Sequence, residues 1–245
     1  MDLGSAALTY CGHATFALKT GSGKRWMVDP WLEQNPACPT RLKNPPAMDV
    51  LLITHAHFDH IGDALRLAKK HDATCIGIYE TVAWLQKKGA AKIMGFNKGG
   101  TIDVDGVKVT MTDACHSCGI SDGDDIIYGG EAAGYVIALE NGLRIYHAGD
   151  TCVFGDMKLI GELFKPDIAC LPIGDHYTMD PEQAAYAIRL LNVKTVIPMH
   201  YGTFPVLTGT PSELRRLTAD VAGLNILELQ PGETITGELK RLVPA

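Results

Sequence analysis

The chain has 245 residues, 46% hydrophobic and 20% charged, with 22 lysines and arginines against 28 aspartates and glutamates, for a formal net charge of −6. That composition is globular, not disordered, and a chain of this length buries roughly seven tenths of its extended surface on folding, enough for a sizeable core without staples. An acidic balance with no basic tract makes nucleic acid and anionic lipid poor partners.

In chain order, the stretch from Met1 to Tyr10 lacks the basic and apolar regions of a secretory leader. Short apolar or β-branched runs then predict strands at Ala14–Leu18, Arg25–Val28, Val50–Ile53 and Thr74–Ile78. More follow at Val107–Thr112, Tyr135–Leu139, Leu143–His147, Ile168–Leu171 and Thr195–Pro198. Asn141-Gly142 between two of them reads as a hairpin turn with both residues at positive φ. Helical spacing appears at Asp63–Lys70, Thr81–Lys88, Met157–Phe164, Glu182–Leu191 and Ser212–Val221. Pro181 sits at an N1 position behind the cap Asp180. The mixture suits two sheets with helices on their outer faces. Three long loops, Trp31–Pro46, Cys115–Gly130 and Tyr201–Pro211, are of a length usually kept for function. No apolar run nears the roughly 18 residues of a membrane helix. The seven cysteines are scattered without a disulfide pattern, so the expectation is a cytoplasmic protein with reduced thiols and no membrane span.

The strongest chemical signal is His55-Ala56-His57-Phe58-Asp59-His60, directly after the apolar run Val50–Ile53 and before a helix. A random H-x-H-x-D-H arises about once per thousand chains of this length. His55 and His57 alternate along an extended segment and can aim at one point, while Asp59 and His60, on the turn into the helix, can aim at a second. Imidazole and carboxylate donors suit zinc and its first-row neighbours. A metal pair needs more donors, and the chain offers His116, Asp150 in Gly-Asp-Thr, and His200, each just beyond a strand's carboxyl end. Cys115-His116-Ser117-Cys118 holds a C-x-x-C, but a zinc ribbon would need a second such pair.

This set of H-x-H-x-D-H, a later His, Gly-Asp-Thr and a final His resembles the metallo-β-lactamase superfamily of hydrolases. Cys11-Gly12-His13-Ala14-Thr15-Phe16 and Val28-Asp29-Pro30 look like its branch of metal-dependent hydrolases similar to ascorbate-phosphate lactonases and N-acylphosphatidylethanolamine phospholipases. The resemblance covers nearly the whole chain. It implies an α+β fold, a four-layer αββα sandwich, as one domain over residues 1–245. It also implies two divalent transition-metal ions at one edge: zinc, with nickel, manganese or iron as alternatives. By the same resemblance His55, His57 and His116 hold one ion, Asp59, His60 and His200 hold the other, and Asp150 bridges them. Asp29 looks like a support that fixes a ligand imidazole's tautomer.

The implied reaction is attack by a metal-bound hydroxide, steadied by Asp59, on a small ester, lactone or phosphodiester. His13 and His176, histidines outside the metal set and on loops facing that edge, are the expected sources of a proton for the leaving group. His147 reads as buried and structural. The partner is a small molecule, with self-association into a homo-oligomer left open. Two other readings keep the same residues: a di-iron redox enzyme on the same fold, and a non-catalytic metal-binding protein. The flavin-linked di-iron type usually shows Glu where His57 stands and carries an added domain. A seven-donor set with an open position argues against a purely structural site.

Overall fold

The computed structural model describes residues 2–242, so Met1 and residues 243–245 of the expected 1–245 span lie outside it. The first half runs β1 (Ala7–Gly12), β2 (Thr15–Lys19), β3 (Arg25–Val28), β4 (Val50–Ile53), α1 (Phe58–Ile61), α2 (Ala64–His71), β5 (Thr74–Ile78), α3 (Tyr79–Lys87), β6 (Lys92–Phe96) and β7 (Thr101–Val104). It continues through β8 (Val107–Asp113), β9 (Gly119–Asp122), β10 (Asp125–Tyr128), β11 (Ala133–Ala138), β12 (Arg144–His147) and α4 (Met157–Phe164). The remainder is β13 (Ile168–Pro172), α5 (Pro181–Leu191), β14 (Thr195–Met199), α6 (Pro211–Leu217), β15 (Asn225–Ile226), β16 (Thr234–Thr236) and β17 (Lys240–Leu242).

The period-2 alternation of the strands sorts side chains into layers. Trp26, Val28, Val50, Leu52 and Ile76 of one sheet pack inward against Val109, Met111, Tyr135, Ile145 and Ile197 of the other. Met27, Leu51, Ile53 and Cys75 face outward and are covered by Leu67 of α2 and Val82 and Leu85 of α3. Val136, Tyr146, Ala169 and Val196 do the same beneath Met157 of α4, Ala184 and Ile188 of α5 and Leu214 of α6. The result is the αββα sandwich. The first sheet has eight strands in the order β17-β16-β1-β2-β3-β4-β5-β6, and the second seven in the order β15-β14-β13-β12-β11-β8-β7. No helix among the described residues is long and apolar enough to cross a membrane.

The expected strands and helices all form, mostly within two residues of their predicted ends. The last helix is the exception. It stops at Leu217, because the Thr218 hydroxyl bonds back to the Leu214 carbonyl at 2.7 Å and competes with the helical ladder. Asp180 caps α5 as expected, its carboxylate accepting the Gln183 N–H at 2.7 Å with Pro181 in the first turn. Two expectations are corrected. The hairpin turn at Asn141-Gly142 has only Gly142 left-handed, at φ 86°. The Gly142 N–H reaches the Leu139 carbonyl and the Leu139 N–H reaches Leu143, so the turn is a three-residue loop with a glycine bulge. The stretch Cys115–Gly130 is not an open loop, since β9 and β10 pair within it as a separate ribbon.

Strand direction positions the site. β3 and β4 run parallel, and β1 points the same way because β1–β2 and β2–β3 are both antiparallel. In the second sheet β12, β13 and β14 are parallel, and β8 shares their direction through antiparallel β11. Within each sheet these carboxyl ends share one edge.

Candidate metal centre

Every donor singled out in the sequence follows one of those carboxyl ends. His13 follows β1, Asp29 follows β3 and the 55–60 segment follows β4. His116 follows β8, Asp150 follows β12, His176 follows β13 and His200 follows β14. The two sheets meet there, the His200 N–H donating to the His13 carbonyl at 2.8 Å. His57 is extended, at φ −67° and ψ 150°, and caps α1, whereas Asp59 and His60 are helical, so the motif's side chains leave in two directions. His13, Asp29 and His200 are left-handed, at φ 60°, 50° and 55°. Non-glycine residues seldom adopt that backbone, and such strain gathers at functional sites. Gly149 is required before Asp150. Its φ is 62°, and a Cβ there would meet the Ala133 carbonyl oxygen at 2.6 Å.

Two separate donor groups result, and a third set, Asp29 with His55 and His60, overlaps both. His55, His57 and His116 converge, with His57 Nδ1 3.1 Å from His55 Nε2 and 3.2 Å from His116 Nε2. Those spacings are near the edge of about 3.3 Å of a tetrahedron built on Zn–N bonds of about 2.0–2.1 Å. The second group holds Asp59, His60 and His200, with His13 alongside. Between them stands Asp150. Its Oδ2 lies 3.0 Å from His200 Nε2, 3.3 Å from His60 Nε2, 3.7 Å from His116 Nε2 and 3.9 Å from His55 Nε2. These approaches are close but not aligned as hydrogen bonds. His60 Nε2, Asp150 Oδ1 and both ring nitrogens of His200 are buried without a hydrogen-bond partner. Asp29, Asp59 and Asp150 are all buried here, and no lysine or arginine among the described residues is buried to balance them. Unpartnered imidazoles and uncompensated carboxylates at one spot are the signature of donors for a cation.

The supports behind the donors fix their tautomers. Asp29 Oδ2 accepts from His60 Nδ1 at 2.8 Å and from the Thr54 hydroxyl at 2.7 Å, while Oδ1 accepts the Thr54 N–H at 2.8 Å. The Thr54 hydroxyl lies 3.0 Å from His55 Nδ1, so one carboxylate orients an imidazole in each group. His57 Nε2 meets the Ser117 hydroxyl at 3.2 Å, which leaves Nδ1 facing inward. Cys115 ties two donor segments together, its N–H donating to Thr151 Oγ1 and its carbonyl accepting from the Cys152 N–H. Cys115 is exposed and Cys118 buried, and all seven cysteines are free thiols. Burial pushes the His55 imidazole well down, reinforced by His60, and lowers His57 and His116. Burial works the same way on His200, but Asp150 and Asp59 outweigh it and lift the imidazole to about 9. Burial alone would raise the Asp59 and Asp150 carboxyls, yet the imidazoles around them hold both far below the usual range.

The sequence-predicted proton donors stand apart from one another. His13 is fully buried, its Nε2–H donating to Asp59 Oδ2 and its Nδ1 accepting from the Thr203 hydroxyl, each at 2.9 Å. Burial, reinforced by His200, lowers its pKa to about 4. His176 is exposed, left-handed at φ 58°, and packs edge-on against Tyr177 at 4.5 Å. Neither imidazole lines the groove of about 580 Å³ over the donors, whereas Ser117, Ser121 and the Tyr177 side chain do. His147 is buried as expected, with Nε2 on the Ala14 carbonyl at 3.0 Å. Of the four aromatics that the sequence offers as pocket candidates, Trp31, Phe58, Tyr177 and Tyr201, the groove takes Phe58 and Tyr177, and it adds Phe204, which no spacing rule links to them. A larger hollow of about 720 Å³ between α4 and α5 contains no donor group.

Known proteins resemble this chain in sequence and fold. The family profile described as beta-lactamase superfamily domain matches residues 24–201, which include all donors from His55 to His200 and leave His13 outside. A UPF0173 metal-dependent hydrolase of Koribacter versatilis is 56% identical over 234 residues, 96% of this chain and 99% of its own. Among solved structures, a novel metallo hydrolase from the hyperthermophilic archaeon Ignicoccus hospitalis is 39% identical with a TM-score of 0.84, covering 96% of this chain and 99% of its own. An isothiocyanate hydrolase from Delia radicum gut bacteria is 25% identical with a TM-score of 0.74, covering 94% and 99%. The chain belongs to the metallo-β-lactamase superfamily and is a metal-dependent hydrolase.

Proposed function

On the premise of that membership, we propose that the chain hydrolyses a small ester, lactone or phosphodiester with two divalent transition-metal ions bound at the sheet edge. The observation that carries the reading is Asp150 Oδ2 within 3.9 Å of imidazoles from both donor groups. His55, His57 and His116 would hold one ion, Asp59, His60 and His200 the other, and Asp150 both. An all-nitrogen-and-oxygen donor set suits zinc, with nickel, manganese and iron as rivals by the same chemistry. Bound by these residues, such ions would acidify a water and polarise the bond under attack.

The chain's own groups do the rest. Asp59 accepts a hydrogen bond from the attacking water, and His13 holds that carboxylate from behind. His13, acting through Asp59, is the imidazole proposed to serve the leaving group's proton, and His176, the other one expected, stands off the groove beside Tyr177. The likeness to an isothiocyanate hydrolase supports adding an electrophilic heterocumulene carbon to the substrates tried.

Elemental analysis of protein purified without chelator should find about two transition-metal ions per chain. The loaded protein should turn over at least one of a set of nitrophenyl esters, lactones, bis-nitrophenyl phosphate and aryl isothiocyanates. Metal content near zero after reconstitution with each of the four ions would end this reading.

A further inference from the structure

The groove above the donors has walls that bond cleavage itself does not need. Phe58 and Tyr177, each 57% exposed, and Val206, 42% exposed, face this one hollow. Phe204 joins them, its ring 5.9 Å from buried Trp31 and 6.5 Å from Phe58, and Trp31 in turn lies 5.9 Å from Phe58. Phe58 and Phe204 are therefore anchored on the buried Trp31 ring. Single exposed apolar residues need no explanation, but four lining one cavity of ligand size mark a binding surface. They are also placed by the donors' own segments. Phe58 sits between His57 and Asp59, and Phe204 and Val206 follow His200.

Charge points the same way. No lysine or arginine lines the groove. The β9–β10 ribbon, which contributes Ser121, carries Asp122, Asp124 and Asp125 at its turn, and of these only Asp122 meets a lysine, Lys88. Pockets built for anionic groups hold them with arginine or lysine forks, which are absent from this lining. An anionic tail here would meet aromatic rings and no lysine or arginine.

We propose that the groove selects neutral substrates bearing an apolar arm, an alkyl chain or an aryl ring, on the group attacked, and that Phe58, Tyr177, Phe204 and Val206 set that choice. The inference rests on the hydrolase reading above and narrows it to uncharged carbonyl compounds over phosphodiesters.

The test is calorimetric binding of hydroxamates to the metal-loaded protein, with metal content measured separately. Affinity should rise about threefold per methylene from acetohydroxamate toward octanohydroxamate until the wall is covered. The same chain ending in a carboxylate, suberic monohydroxamate, should bind at least about tenfold more weakly than octanohydroxamate, since a charge desolvated against apolar walls has no partner. Val206→Lys, a change at an exposed rim position, should narrow that gap about fivefold or more by supplying a cation. A flat chain-length series, or equal binding of the carboxylate-tailed ligand, would overturn the apolar groove while leaving a metal hydrolase in place. Absence of metal together with absence of hydroxamate binding would instead overturn the reading beneath it.

Discussion

The two donor groups both use imidazoles, the second adding the Asp59 carboxylate, and they differ in what surrounds them. His57 and His116 border the groove and are half-buried, and of the first group only His55 is wholly enclosed. In the second group His60 and His200 are buried, and Asp59 is backed by His13 and through it by Thr203. The second group is the more enclosed, although Asp59 and His200 line the same groove as His57 and His116, so both groups face what arrives there.

Asp150→Ala breaks the comparison outright, because the Asp150 Oδ2 lies within 3.9 Å of imidazole nitrogens from both groups. We expect loss of at least one ion and a fall in kcat of about 10³-fold or more, since each ion supplies several kcal/mol of transition-state stabilisation. Elemental analysis and turnover measure both effects, and circular dichroism should report an intact fold. Full metal content with normal turnover would mean that nothing bridges the groups.

Asp29→Asn sharpens it next. Asp29 touches no substrate but orients His60 directly and His55 through Thr54. Weakening the supports of ligands in this way typically costs 10- to 100-fold in metal affinity. Competition with a chromophoric chelator should show both ions loosened together. Loss confined to one would show that the Thr54 link carries no weight.

The smallest effects separate the two remaining imidazoles. His13→Ala removes the group behind Asp59 and should lower kcat about 10- to 100-fold with a poor leaving group, and less with nitrophenol. His176→Ala, at an exposed position off the groove, should change kcat by about threefold or less. The opposite ranking would move proton supply to the rim.

The site was unevenly legible in the sequence. His55 to His60 could be read at once because one strand end and one helical turn display four donors within six residues. His116, Asp150 and His200 were legible only as residues after strands, and the shared direction of β8, β12 and β14 brings them together. The inner faces of β3, β4, β8 and β12 were plain from alternation. β6 and β7 were missed because they are half-exposed and carry Lys92, Gly95 and Asp103 among their apolar residues. β1 was overlooked although Leu8 and Tyr10 alternate properly, since its partner β16 lies some two hundred residues away and no local turn announces the pair. The role of His13 was hidden for the same reason, as both its ring partners come from distant segments.

That distant pairing has a consequence for how the protein is made. β1 finds β16 only after the chain has been elongated past Thr236, and the His13 carbonyl waits for the N–H of His200. At synthesis rates of about 5–20 residues per second, the 55–60 segment is made roughly 7–28 s before His200, the last donor, follows. During that interval it is a flexible chelating peptide that follows the general affinity order of divalent ions and has none of the finished site's geometry. Any discrimination among metals by the finished geometry would thus require His200 to have joined the earlier donors.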